Sequence, residues 1–119
     1  MGGETLLDEC IVDQMASLMP GAAGDEFRGT LRHATERLVS DLERDALSAQ
    51  SLSFALHSLR GMCANVGLRA VSERAGALQL AALEERLPAD AADELRRLIG
   101  ASLDALEARL GEIARKAAA

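Results

Sequence analysis

The chain has 119 residues, 49% of them hydrophobic, and a formal charge of −6. That is long enough for one core of its own and too apolar for a disordered chain. The acidic balance argues against nucleic acid as a partner, since phosphate backbones recruit clustered Lys and Arg. With Phe27 and Phe54 as the whole aromatic content, base stacking is missing as well.

Ala, Leu, Glu and Arg dominate, with two prolines and no Trp or Tyr, which favours helix throughout and makes strands improbable. Five helical segments follow along the chain. The first spans about residues 4 to 19, with Leu7, Ile11, Met15 and Leu18 on one side, and stops at Pro20-Gly21. The second runs from about Asp25, read as its N-cap, to about Ala46, with Phe27, Leu31, Ala34, Leu38 and Leu42 as its stripe. The third starts near Ser48 or Ser51 and ends around Asn65-Val66-Gly67, a glycine stop. The fourth covers about 69 to 86 on Val71, Ala75, Leu78 and Ala82, and Pro88 marks a break. The fifth, about 90 to 116, carries Leu95, Leu98, Ile99, Leu103, Leu106, Leu110 and Ile113. Short connections make neighbours antiparallel. The expected fold is all-α, an antiparallel four-helix bundle with an additional N-terminal helix, in a single domain over residues 1–119.

Cys10 and Cys63 both fall on apolar helical faces and read as buried free thiols in a reducing cytoplasm. Met1-Gly2-Gly3-Glu4 has no basic region followed by an apolar run, and Leu6 stands where a myristoylation signal needs Ser or Thr. No uncharged segment approaches transmembrane length. The expectation is a cytoplasmic protein with no membrane partner, free-standing from its first helix to Arg115-Lys116-Ala117. Its acidic residues mostly alternate with Arg along helix faces, the usual solvated pattern.

The third segment carries the chemistry, in the run His57-Ser58-Leu59-Arg60-Gly61-Met62-Cys63-Ala64-Asn65-Val66-Gly67. At about 100° per residue, Leu52, Ala55, Leu56, Leu59, Met62, Cys63 and Val66 fall in an arc about 140° to 260° away from His57. His57 therefore points outward, and Ser53, Arg60, Gly61 and Ala64 lie within about 60° of it. Glycine in a helix interior costs about 1 kcal/mol relative to alanine, so Gly61 calls for a reason. Close approach by another macromolecule supplies one. An exposed imidazole is largely neutral at pH 7 and is then a good nucleophile without a separate base. Arg60 offers a fixed positive charge to a phosphoryl group on the ring.

His33 fails the same test, because Glu36 and Arg37 crowd its face and a carboxylate there repels phosphate. It reads as a surface histidine. Asn65 reads as a helix-end residue. No Glu-x-x-His pair, zinc-spaced cysteine pair or glycine-rich phosphate loop occurs, so no metal site is expected. Ser58, beside His57, points about 100° away from it, which argues against a serine triad.

The run resembles the signature of histidine-containing phosphotransfer (HPt) domains, the carriers of bacterial multistep phosphorelays. Their common pattern is His-x-Leu-Lys-Gly, a short small or apolar stretch, then an aliphatic residue and Gly. His57, Leu59, Gly61, Val66 and Gly67 match it, whereas Arg60 replaces the usual lysine and Leu68 follows where alanine is frequent. The local match covers about a dozen residues, and the length and helical layout agree over most of the chain.

The resemblance implies a phosphorelay carrier. His57, through Nε2, accepts a phosphoryl group from a receiver-domain aspartate and passes it to a response regulator. Arg60 steadies the phosphoryl oxygens, Gly61 and Ala64 allow close docking, and Ser53 and Leu68 fall inside the contact surface. If the turn centres near Leu68, His57 and Gln79 lie level, eleven residues to either side. HPt domains often place a polar residue there, so Gln79 joins the expected site, with a solvated surface glutamine as the alternative. The expected partners are receiver domains of a hybrid histidine kinase and of a response regulator. No cofactor of the chain's own is implied, Mg²⁺ belonging to the receiver, and the carrier is expected to be a monomer without independent turnover. The competing reading is a non-catalytic helical interaction or dimerisation module, favoured by the long, regularly striped fifth segment.

Overall fold

A computed structural model describes residues 5–18, 21–44 and 48–118. Five helices follow in order: α1 (Glu9–Leu18), α2 (Ala22–Glu43), α3 (Ala49–Asn65), α4 (Arg69–Leu83) and α5 (Ala91–Ala118). Helices α2 to α5 form the bundle, with α2 packed on α3 and α5, and α4 packed on α3 and α5. The additional helix α1 lies against α5. The core is aliphatic, with Leu31, Leu38 and Val39 from α2, Leu52, Leu56, Leu59 and Cys63 from α3, Val71, Ala75 and Leu78 from α4, and Leu95, Ile99, Leu103 and Leu106 from α5. Val12 and Met15 of α1 join it. The all-α bundle with an extra N-terminal helix is as the sequence leads one to expect. Among the described residues no helix is long and apolar enough to cross a membrane.

The helix ends differ from the sequence reading where backbone hydrogen bonds, rather than periodicity, decide them. Helix α1 starts at Glu9, not near residue 4, because the Asp8 carboxylate accepts from the Ile11 amide and caps it. The residues just before are used differently. Asp8 N–H donates to the Gly67 carbonyl at 2.8 Å, and Ala70 N–H donates to the Leu6 carbonyl at 3.2 Å. The entry to α1 is thereby stitched onto the turn between α3 and α4. Two charge-assisted bonds from Arg109 to Asp13, at 3.0 and 2.8 Å, tie α1 to α5. The expected stop at Pro20 and the expected end of α2 at Ala46 lie outside the described residues.

Asp25 is not an N-cap. Helix α2 begins three residues earlier, after Gly21 at φ +63°, and Asp25 pairs with Arg28 inside its first turns. Ser48 does cap α3, its Oγ accepting from the Ser51 amide. Helix α4 ends at Leu83 rather than near 86. Glu85 takes a left-handed conformation at φ 54°, and the Arg86 amide closes onto the Ala81 carbonyl. A non-glycine at that position leaves no stop signal to read. Cys10 is exposed, since α1 turns only Val12 and Met15 fully inward, while Cys63 is buried as expected.

The α3–α4 turn sets the site. The Leu68 amide donates to the Cys63 carbonyl at 2.9 Å and the Gly67 amide to Ala64 at 3.3 Å, the paired bonds of a Schellman ending. Gly67 stands at φ +82°, and a Cβ there would meet Val12 Cγ2 at 2.7 Å and the Asp8 carbonyl oxygen at 2.8 Å. The turn is therefore both left-handed and covered by α1.

Candidate functional site

His57 is exposed at the middle of α3, on the face opposite Leu52, Leu56, Leu59 and Cys63, which the core holds. One turn on, Gly61 is exposed, and a Cβ placed there would have nothing within 4 Å. Ala64, a further turn along, is exposed too. Beyond the imidazole, towards the end of α3, the surface thus carries only small residues at Gly61 and Ala64. Such a surface admits another macromolecule and does not enclose a small one. Two grooves, of about 350 and 500 Å³, are lined by residues of α2 and α5 and lie away from His57.

Electrostatics set this surface apart from the rest of an acidic chain. Helix α3 contains no carboxylate, and α4 contains one, Glu73, which accepts from Arg69. Arg60 is exposed and, among the described residues, makes no ion pair. Its side chain crosses the seam to α4, where Cδ, Nε and Cζ lie 3.4, 3.5 and 3.7 Å from the position a Gly76 Cβ would take. Its carbonyl accepts from the Ser72 hydroxyl at 3.0 Å.

These two contacts fix the register of the hairpin. Arg60 faces Ser72 and Gly76, so in antiparallel helices the residues one turn back on α3 and one turn on along α4 face each other in turn. His57 and Gln79 stand in that relation. Gln79 is half-buried.

Two of the residues read as docking contacts are not available for it. Ser53 is 7% exposed and Leu68 is 1% exposed. Ser53 is buried within α3, and Leu68, the residue after the left-handed Gly67, turns into the core as the apolar closure of the turn. His33, read as a surface residue, is exposed.

The sequence reading missed three apolar side chains. Phe54 is 73% exposed, Leu80 61% and Leu83 55%. Phe54 is three residues before His57, about 60° around the helix, on the outward arc. Leu80 and Leu83 lie off the Val71, Ala75, Leu78 and Ala82 stripe, on the part of α4 level with the first half of α3. The signal was present: each is a large apolar residue out of phase with its own stripe.

The profile of the Hpt domain matches residues 25–114. Two curated relatives, the sensory/regulatory protein RpfC from two strains of Xanthomonas campestris pv. campestris, are each 33% identical over 116 aligned residues. Each alignment covers 90% of this chain and 15% of the relative, so the chain spans a small part of their length. No solved structure matches it significantly. A profile match over most of the bundle, an exposed histidine in the matched segment and a relative alignable over nearly the whole chain agree: the chain belongs to the Hpt family, with a general role in histidine phosphotransfer.

Proposed function

We propose that His57 is the phosphoacceptor and that the chain carries a phosphoryl group between two receiver domains. The observation that carries this reading is the exposed imidazole on a face where Gly61 and Ala64 leave the approach clear. In the forward step the Nε2 lone pair attacks the phosphorus of a receiver aspartyl phosphate in line. The new P–N bond forms as the P–O bond to the aspartate breaks, and the carboxylate leaves with the electron pair. Nδ1 keeps its proton. The second receiver's aspartate then attacks the same phosphorus, and the imidazole leaves. The receiver brings Mg²⁺, and this chain needs no cofactor.

Each neighbour has a part. Arg60, free of carboxylate partners, steadies the phosphoryl oxygens. Gln79, level with His57, donates a hydrogen bond to the ring or to those oxygens. Phe54, Leu80 and Leu83 give the receiver an apolar contact beside the histidine, replacing Ser53 and Leu68 in that role. Residues 1–119 act as one unit and turn nothing over alone, working in the cytoplasm as a monomer.

The test incubates the purified chain with phosphorylated receiver domains and looks for acid-labile, alkali-stable phosphate on wild type and His57→Gln. Label on wild type and none on the variant is expected. Equal label on both, or none on either across a broad receiver panel, leaves only the helical interaction module.

A further inference from the structure

Gly29, Gly61, Gly76, Gly100 and Gly111 all lie inside helices, where glycine is costly relative to alanine. Around Gly29, Gly61 and Gly100 an added Cβ would meet nothing within 4 Å, and at Gly111 it would meet Arg115 of the same helix. Gly76 alone of these five faces a side chain from another helix, and that side chain is Arg60. The distances of 3.4, 3.5 and 3.7 Å to Cδ, Nε and Cζ change little along the chain. The end of Arg60 therefore lies flat across the glycine instead of pointing at it.

Two further contacts complete the arrangement. The Ser72 hydroxyl, one turn before Gly76 on α4, donates to the Arg60 carbonyl at 3.0 Å and fixes where the arginine leaves its helix. Glu73, the single carboxylate of α4, is engaged by Arg69 at 3.4 Å. A long side chain on a helix leans towards the helix N-terminus, which for Arg60 is the direction of His57. A side chain laid across α4 there has fewer rotamers open to it than one free in water, and among the described residues its charge is not paired.

We infer that Gly76 and Ser72 are positioning residues, forming a seat on α4 that holds the Arg60 guanidinium ready for the phosphoryl group on His57. The inference rests on the carrier reading above and adds α4 to its working parts. Preorganisation is where the gain lies, since an arginine free to roam in water would have to be ordered in the transition state. The seat tolerates alanine, whose Cβ would stand in ordinary contact with Arg60. It does not tolerate a branched side chain, which needs the volume the guanidinium occupies.

The experiment uses phosphoramidate, a small P–N donor that labels an accessible histidine with loss of ammonia and requires no docking partner. Labelling rates are measured for wild type, Arg60→Ala, Gly76→Ala, Gly76→Leu and the Arg60→Ala/Gly76→Leu double variant, with thermal melts by circular dichroism. Gly76→Ala should stay within about twofold of wild type. Gly76→Leu should slow by the same factor as Arg60→Ala, about tenfold, less than a buried oxyanion donor supplies because the site is open to water. The double variant should be no slower than Arg60→Ala. If Gly76→Leu does not melt cooperatively, Gly76→Ile takes its place, its two γ-branches leaving no rotamer clear of the seat. Labelling of the Leu or Ile variant at the wild-type rate, or a further drop in the Arg60→Ala background, overturns the inference while the carrier reading stands. A wild-type chain that takes no phosphoryl group overturns both.

Discussion

Gly67→Ala should be among the most damaging single-methyl additions in the chain. The added Cβ would sit 2.7 Å from Val12 Cγ2, 2.8 Å from the Asp8 carbonyl oxygen and 3.1 Å from the Val12 amide nitrogen. Two of these three atoms are backbone, so no side-chain rotation relieves the overlap. The left-handed conformation at φ +82° itself costs a residue with a Cβ about 1–2 kcal/mol. Relief requires α1 to withdraw, which sacrifices the 2.8 Å bond from the Asp8 amide to the Gly67 carbonyl, about 1 kcal/mol. It also exposes part of Val12, now fully buried, for about 1 kcal/mol more out of the 1.5–3 that full burial contributes. The expected destabilisation is about 3–4 kcal/mol, measured by urea unfolding, with amide exchange accelerated first at Val12 and Met15. Gly61→Ala is the control: it meets nothing and sits in regular helix, so it should stabilise by up to about 1 kcal/mol. A Gly67→Ala variant within about 0.5 kcal/mol of wild type would refute the packing argument for this turn.

Gly61→Gln should remain helical with an unchanged or raised melting temperature, yet transfer phosphoryl groups from a receiver at least tenfold more slowly; unchanged transfer would remove the access argument. Asp13 is held below the usual carboxylate range by its hydrogen bond from Arg109. A depressed carboxyl contributes stability above its unfolded value, about pH 4, and loses it as the pH falls through the lower folded value. Melting temperatures of wild type and Asp13→Asn should therefore differ at pH 7 and converge on acidification, and a gap that does not narrow as the pH falls below about 4 would contradict the pairing. Burial pushes the Cys63 thiol up to about 12, whereas Cys10 is exposed. A thiol-disulfide reagent at pH 8 should find one reactive thiol per native chain and a second only on unfolding, and two fast thiols would count against the packing around Cys63.

Much of this was legible because helix α3 states its own phase. Its apolar residues fall in one arc, Ser48 caps it and Gly67 ends it, so the outward direction of His57, Gly61 and Ala64 follows from pitch alone. Pitch gives an angle but not a neighbour. Ser53 is about 40° from His57 on the wheel, yet it is buried while His57 is exposed, and that difference is visible only once the neighbouring helices are placed. Leu68 is buried for a related reason: after the left-handed Gly67 the chain changes direction, and helical phase no longer applies. The early start of α2 and the stop of α4 at Glu85 depend on backbone angles that their side chains do not advertise. Phe54, Leu80 and Leu83 are readable as apolar residues out of phase with their stripes, but that they stand on α3 with His57 and on the α4 helix packed against it is visible only in the fold.

The central claim is that His57 passes a phosphoryl group on as well as receiving it. A two-step chase tests this directly. One labelled receiver is mixed with the chain, removed, and replaced by a second, unlabelled receiver, and the label is followed on each protein. With wild type, label should move from the chain to the second receiver, whereas His57→Gln should hold none at the first step and deliver none at the second. Delivery by His57→Gln, or label that stays on the wild-type chain whichever receiver is offered, would contradict it.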